Sequence, residues 1–177
     1  MKLTGICARG RAWVSHIQSR RKRGHRRHQD AARRREITLL EIEGATPQET
    51  FARRIAYLRK IDPLTFEELV LDAFGRQGWI IERGSRYSGD GGLDGKVYRD
   101  GAWYGIQCKR YKGQIVTAHV RQFMQDLQKF GLERGFFVHT GRTPKIARNL
   151  ESNVQILSGQ SLIEFLGGGL GRVCREP

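Results

Sequence analysis

The sequence predicts an α/β fold in which a mixed central β-sheet is flanked by helices. Two patterns predict it. Short stretches rich in β-branched and aromatic residues alternate along the chain with stretches whose apolar residues recur at helical spacing. The dipeptide Asp100-Gly101, which type I′ hairpin turns prefer, stands between two of the predicted strands. A hairpin followed by alternating strands and helices indicates a mixed sheet with helices on both faces.

The bounds of the helices and strands are predicted from capping residues, prolines and glycines. Thr46-Pro47-Gln48-Glu49 is a capping box with proline at the first helical position, so a helix is predicted from there to about residue 59. Asp62-Pro63 begins a second helix, with apolar residues on one face, that ends at 75–78. The later elements are a strand at 79–82, hairpin strands at 97–99 and 102–106, a helix at 117–130, a strand at 136–139, a helix at 144–150, a strand at 154–157 and a helix at 161–166.

Basic charge is concentrated at the N-terminal end of the chain. Residues 1–60 contain 16 Lys and Arg against 5 Asp and Glu, whereas residues 61–177 contain 16 against 13. The run at 20–35 has almost no apolar residues, so we expect it to be disordered, or helical only when bound. Its expected partner is a polyanion; the alternatives are a solubilising tail, a targeting segment and a non-native extension. The predicted organisation is a basic arm at 1–45, a linking helix at 46–60, a domain at 61–166 and a flexible Gly-rich tail at 167–177.

Composition argues against several classes of protein. No stretch reaches the roughly 18 apolar residues that span a bilayer, and no apolar signal core follows the first basic residues. The three cysteines, Cys7, Cys108 and Cys174, are far apart, which suits a reducing cytoplasm better than a disulfide scaffold. The segment SGDGGLDG at 88–95 lacks the Gly and Lys spacing of a P-loop, so no nucleotide cofactor is expected.

An acid and a lysine lie on the two sides of the predicted hairpin. Counting outward from the two-residue turn places Asp94 opposite Gln107, and alternation along the strand puts Lys109 on the same face. Hydrolysis of a phosphodiester by a metal ion needs oxygen ligands for the ion and a cation beside the phosphate. These residues therefore predict a nuclease.

This alignment depends on the register of the hairpin. A β-bulge between Gly92 and Gly95 would shift the strand by one residue and break it. The opposite face is predicted to pack on the core and carries Leu93, Val97, Tyr104, Ile106 and Cys108.

Several motifs follow one another in a recognisable order: LTFEELV around Glu67, SGDGGLD ending at Asp94, IQCKRY around Lys109 and, more weakly, FFVHTGRTPKIA and ILSGQSL. With them, residues 61–166 resemble the Mrr-like family of type IV restriction endonucleases, a branch of the PD-(D/E)xK nuclease superfamily. The resemblance implies the restriction-endonuclease-like core, a mixed sheet flanked by helices. It also implies a catalytic set of Asp94, Gln107, Lys109 and Glu67.

The implied metal is Mg²⁺, for which Mn²⁺ can substitute. The resemblance implies that Asp94, Gln107 and Glu67 hold it, while Lys109 serves the phosphate. An amide oxygen ligates magnesium but brings no negative charge, so Glu67 and Asp94 have to supply the charge. Glutamine at this position is usual in the Mrr-like branch, although most of the superfamily has an acid there.

The resemblance implies a DNA endonuclease in the restriction of foreign DNA, with methylated DNA as a candidate substrate. A double-strand break needs two active sites, so a homodimer is plausible. The alternatives are a structure-selective repair or Holliday-junction nuclease, and a catalytically silent DNA-binding module of the same fold. The candidate DNA contacts are polar, aromatic and basic residues beside the motifs: Tyr87, Ser88, Arg110, Tyr111, Lys112, Arg142 and Lys145.

Overall fold

The computed structural model of the protein describes residues 26–84, 92–144 and 153–168. Several predictions lie outside these ranges. They are the first 25 residues of the basic arm, the helix predicted at 144–150 apart from its first residue, and the tail beyond residue 168. None of the helices among the described residues is long and apolar enough to span a membrane.

The core of the molecule is a mixed five-stranded sheet. The strands are β1 (Ile80–Arg83), β2 (Gly95–Arg99), β3 (Ala102–Lys109), β4 (Arg134–His139) and β5 (Val154–Ser158). They lie in the sheet in the order of the sequence. The strands β1, β2 and β3 are antiparallel neighbours, whereas β3, β4 and β5 run parallel. The predicted α/β fold with a mixed sheet is confirmed.

Helices cover both faces of this sheet. They are α1 (residues 26–41), α2 (Pro47–Leu58), α3 (Pro63–Arg76), α4 (Thr117–Lys129) and α5 (Gly159–Leu166). The larger apolar core joins one face of the sheet to α1, α2, α3 and α5. A smaller core joins the other face to α4. The helix α3 carries Glu67 and packs on the larger core.

Two helices begin at the residues that the sequence predicts. The Thr46 hydroxyl accepts a hydrogen bond from the Glu49 amide (3.1 Å), and the Glu49 carboxylate accepts one from the Ala45 amide (2.8 Å). At the start of α3, the Asp62 carboxylate accepts a hydrogen bond from the Thr65 amide (3.1 Å). The N-terminal end of α3 is therefore fixed by its own cap.

The turn between β2 and β3 is also as predicted. Asp100 has a φ of 51° and Gly101 a φ of 84°, so both central residues have the positive φ that a type I′ turn requires. The strands then pair from Arg99 with Ala102 as far as Gly95 with Ile106. The hairpin thus brings the start of β2 to the second half of β3.

The basic arm differs from its prediction. Residues 26–41 form a helix and are not disordered, because two apolar residues supply the burial that the arginine run lacks. Ala32 and Leu39 are each 1% exposed and belong to the larger core. Since they are seven residues apart, they lie on one side of α1, and the arginines are left on the other sides.

We expect Leu39→Ala to lower the free energy of unfolding by about 2 to 4 kcal/mol, because it empties a buried leucine site. The matched control is Leu40→Ala, since the neighbouring leucine is 43% exposed and should cost less than about 1 kcal/mol. Denaturant titration measures both. Equal losses for the two variants would show that α1 is not packed against the core.

Candidate active site

A bulge interrupts the hairpin immediately before β2. The Asp94 amide donates to the carbonyl oxygen of Ile106 (2.9 Å), although Ile106 is already the partner of Gly95. Two residues on one strand thus lie opposite one residue on the other, which is a β-bulge. The prediction that Asp94 lies directly opposite Gln107 is therefore wrong by one residue.

The bulge also reverses the side on which Leu93 packs. Leu93 was predicted to share the core-facing side with Val97, Ile106 and Cys108, and those three do belong to the larger core. Leu93 instead packs against the smaller core under α4. The alternation of side chains holds along β2 and fails across the inserted residue.

The carboxylate of Asp94 is held by the backbone of β3. Its Oδ2 atom accepts a hydrogen bond from the Cys108 amide (2.6 Å). Burial raises the pKa of Asp94 to about 6, although the Cys108 hydrogen bond and the positive charge of Lys109 act in the opposite direction. The side chain is thus tied to the strand that carries the predicted lysine.

Glu67 reaches the same place from α3. Burial, and to a lesser extent the negative charge of Asp94, raise its pKa to about 8, although the positive charge of Lys109 acts in the opposite direction. These mutual influences show that the two carboxylates and the ammonium group lie within electrostatic reach of one another. The structure therefore brings together three of the four predicted catalytic residues.

Gln107 and Lys109 lie on one face of β3, as predicted. They alternate with Ile106 and Cys108, which face the larger core, so both point to the α4 side. Gln107 is buried and has Phe137 of β4 as its neighbour across the sheet. Lys109 is half-buried at the last position of β3, where its neighbour is His139.

The donor set fits a hard divalent cation. Burial raises the pKa of both carboxylates, the charge of Asp94 adds to the rise at Glu67, and a bound cation would favour the charged form of each. Among the described residues, no three His, Cys, Asp or Glu side chains form a ready-made metal cluster. Magnesium sites commonly use one or two carboxylates and complete the shell with water and substrate phosphate, so this pair suffices. The oxygen-only donors suit Mg²⁺ or Mn²⁺.

Comparison with known proteins shows the family to which this chain belongs. Residues 58–166 match the family model Mrr_cat, described as restriction endonuclease. The chain belongs to this family. The predicted resemblance to the Mrr-like restriction endonucleases is confirmed. No curated protein sequence matches it.

A solved structure resembles the fold of the Mrr-family chain. It is the MspJI restriction endonuclease in complex with a 27-mer oligonucleotide, with 21% sequence identity and a TM-score of 0.51. The match covers 71% of this chain and 32% of that one, so the chain spans about a third of the length of MspJI. At this identity the likeness shows the restriction-endonuclease-like fold.

Two arginines lock the ends of β3 and β4 of the Mrr-family domain to the linker before α3. Arg59 donates through Nε and Nη2 to the Thr140 carbonyl (3.1 and 2.8 Å). Arg110 donates to the carbonyls of Arg59 (3.2 Å) and Ile61. We call this set of bonds the arginine clasp. It fixes the start of α3, and with it Glu67, against the strand that ends at Lys109.

The candidate DNA contacts differ in exposure and in the bonds that they form. Arg110 is a member of the arginine clasp and not a free surface cation. Tyr111 is half-buried, and its ring stacks on His119 with 5.9 Å between ring centroids. Lys112 and Arg142 have exposed side chains at the end of the sheet where β3 and β4 finish. Three predicted contacts lie outside the described residues: Tyr87, Ser88 and Lys145.

Sequence reasoning missed a partly buried hydrogen-bond chain beside Lys109. The Gly141 amide donates to Nδ1 of His139 (3.1 Å), so Nε2 carries the proton and donates to the Thr143 hydroxyl (3.1 Å). That hydroxyl bonds to Ser158 (2.7 Å), and burial lowers the pKa of His139 to about 4. A neutral histidine adds no positive charge beside Lys109. No spacing rule links the chain to Ser158, because His139 ends β4, Thr143 lies in the loop after β4, and Ser158 ends β5.

We expect Glu67→Gln to stabilise the metal-free protein at alkaline pH. Folding raises the pKa of Glu67 from 4.5 to about 8, so the folded state binds this proton more tightly than the unfolded chain. Glu67 therefore does not lower the free energy of unfolding below about pH 4.5, and it lowers this free energy increasingly as the pH rises towards 8. Denaturant titration in EDTA should show a gain of about 1 to 3 kcal/mol at about pH 8 and almost none at about pH 4.5.

The matched control for this change is Glu133→Gln, because Glu133 is exposed. It should change the free energy of unfolding by less than about 0.5 kcal/mol at either pH. A Glu67→Gln gain that is the same at both pH values would contradict the raised pKa of Glu67.

Arg110→Ala should lower the free energy of unfolding by about 1 to 3 kcal/mol, because two backbone carbonyls lose their charged donor. Lys112→Ala is the comparison, since this exposed neighbour should affect DNA binding without affecting stability. Thermal melting and the salt dependence of DNA binding separate the two effects. If Arg110→Ala melts like the unaltered protein and only weakens DNA binding, Arg110 is a DNA contact and the clasp is unimportant.

Proposed function

We propose that the protein is a Mg²⁺-dependent endonuclease that hydrolyses phosphodiester bonds of foreign DNA in the cytoplasm. Mn²⁺ is proposed as a substitute metal. The observation that carries the proposal is the juxtaposition of Glu67, Asp94 and Lys109 at one end of the sheet. Membership of the restriction endonuclease family supports it, and so does the fold shared with a nuclease solved with an oligonucleotide.

Glu67 and Asp94 are the proposed anionic ligands, and the amide oxygen of Gln107 is a proposed neutral ligand. When bound, the metal ion polarises the phosphate and lowers the pKa of a water molecule. The hydrogen bond from the Cys108 amide fixes the orientation of the Asp94 carboxylate. A fixed carboxylate keeps the ligands in place without reorganisation during the reaction.

Lys109 is proposed to stabilise the negative charge that develops on the attacked phosphate. It is half-buried at the end of β3, where less water screens its charge than at an open surface. The neighbouring His139 is buried, and its lowered pKa keeps it neutral at physiological pH. His139 therefore adds no positive charge that would compete with the Lys109 ammonium group for the phosphate.

DNA is proposed to run over the end of the sheet at which β3 and β4 finish. The loops after these strands are joined by a backbone hydrogen bond from the Arg142 amide to the Gly113 carbonyl (2.9 Å). Lys112 and Arg142 present exposed cations on these loops, which suits contact with phosphates. Because each chain has one such site, a double-strand break would require a homodimer. Methylated foreign DNA is the proposed substrate.

Asp94→Ala and Lys109→Ala should each reduce cleavage of plasmid DNA by at least about 100-fold, because each removes charge that acts on the transition state. The control is Glu133→Ala, at an exposed acid beside the opposite end of β3 from Lys109, which should cleave normally. Gel assays of matched methylated and unmethylated plasmids with Mg²⁺, Mn²⁺ or EDTA measure the activity. Unaltered protein that never nicks DNA with any metal would contradict the nuclease proposal and favour a silent DNA-binding module.

The same assay with branched DNA separates the remaining alternative. A restriction nuclease should cleave linear duplexes at least as well as four-way junctions. Strong preference for junctions over both plasmids would instead indicate a structure-selective nuclease.

A further inference from the structure

The basic helix α1 is attached to α3 along its length. His28 Nδ1 lies 3.3 Å from the Thr65 hydroxyl and 3.5 Å from the Asp62 carboxylate, at the start of α3. Glu36 forms an ion pair with Arg76 (2.6 Å), at the end of α3. The two helices therefore run side by side in the same direction. The first turn of α1 lies at the end of α3 that carries Glu67.

Five arginines of α1 have exposed side chains: Arg26, Arg27, Arg33, Arg34 and Arg35. The side that carries Arg27 and Arg34 lies opposite the buried Ala32 and Leu39, and we call it the outer side of α1. Arg27 and Arg34 are seven residues apart, so they lie on one side of the helix with about 10 Å between them along its axis. Arg26 and Arg33 repeat this spacing on an adjacent row. Asp30 is the only acid within residues 26–35.

Burial does not account for Arg27 and Arg34. The burial that holds α1 in place comes from Ala32 and Leu39. Arg27 and Arg34 are both exposed, on the side of the helix opposite those two residues. Exposed guanidinium groups in a row present positive charge to an anionic partner.

We propose that the outer side of α1, through Arg27 and Arg34, binds the phosphate backbone of the DNA beside the cleavage site. The proposal rests on the proposed nuclease function and adds a second contact surface to it. The direction of α1 brings its first turn towards the end of the molecule where Glu67 and Lys109 lie. Guanidinium groups bind phosphate oxygens in pairs of hydrogen bonds, and this contact does not read the base sequence.

The test is the salt dependence of DNA binding by the full-length protein. Affinity for a short unmodified duplex is measured in EDTA, so that no cleavage occurs, at several salt concentrations. Each lost phosphate contact should reduce the slope of log K against log salt by about 0.9. We expect Arg27→Gln/Arg34→Gln to reduce the slope by about 1.8 and to weaken binding at least about tenfold at low salt.

Two variants serve as controls. Arg27→Lys/Arg34→Lys keeps both charges and should retain most of the slope. Arg134→Glu changes the net charge by the same two units, but at an exposed residue that begins β4 at the other end of the sheet. It should leave the slope nearly unchanged. Circular dichroism verifies that each variant is folded.

Three results would overturn the proposal: an unaltered slope in Arg27→Gln/Arg34→Gln, an equal loss in Arg134→Glu, or the same loss in the lysine variant. The proposed nuclease function fails separately, since it requires metal-dependent cleavage by the unaltered protein. A protein that binds DNA through α1 but never cleaves would retain this inference and lose the proposed function.

Discussion

Glu67 and Asp94 are brought together at a partly buried position that disfavours the ionised form of both carboxylates. Burial raises both pKa values, the charge of Asp94 adds to the rise at Glu67, and the charge of Lys109 offsets only part of these effects. Such a pair destabilises the metal-free fold at neutral pH. The large apolar core between α3 and the sheet has to outweigh this cost, which leaves less net stability to the domain.

The rest of the site depends on holding these charges in one place. Glu67, Asp94 and Lys109 come from a helix, a bulge and a strand end that are separate in sequence. The Asp62 cap fixes the start of α3, the Cys108 amide holds Asp94, and the arginine clasp joins α3 to the end of β3. The site lies beyond the carboxyl ends of the parallel strands, where α/β sheets commonly bind ligands.

Local chemistry explains which features the sequence predicted. The Asp100-Gly101 turn, the capping box and the apolar stripe of α3 each depend on a few neighbouring residues, and all three are confirmed. The bulge before β2 was considered as an alternative but was not predicted, because it depends on pairing with another strand. The packing of α1 was missed because two buried residues, Ala32 and Leu39, outweigh a run of arginines.

The arginine clasp shows a different limit of sequence reasoning. Arg110 follows Lys109 directly, so its position in a basic, aromatic stretch predicted a DNA contact. Its partners are the backbone carbonyls of Arg59 and Ile61, about 50 residues away in sequence. Backbone acceptors leave no trace in side-chain identity, and therefore only the structure reveals the bond.

Proton release on metal binding tests the central claim most directly. Calorimetric titration of the protein with Mn²⁺ at about pH 7, in two buffers of different ionisation enthalpy, counts the protons displaced per ion. Because the raised pKa of Glu67 leaves it largely protonated at that pH, binding should release close to one proton, and Glu67→Gln should abolish the release. Binding without proton release, or release that persists in Glu67→Gln, would contradict a metal site built on the Glu67 and Asp94 pair.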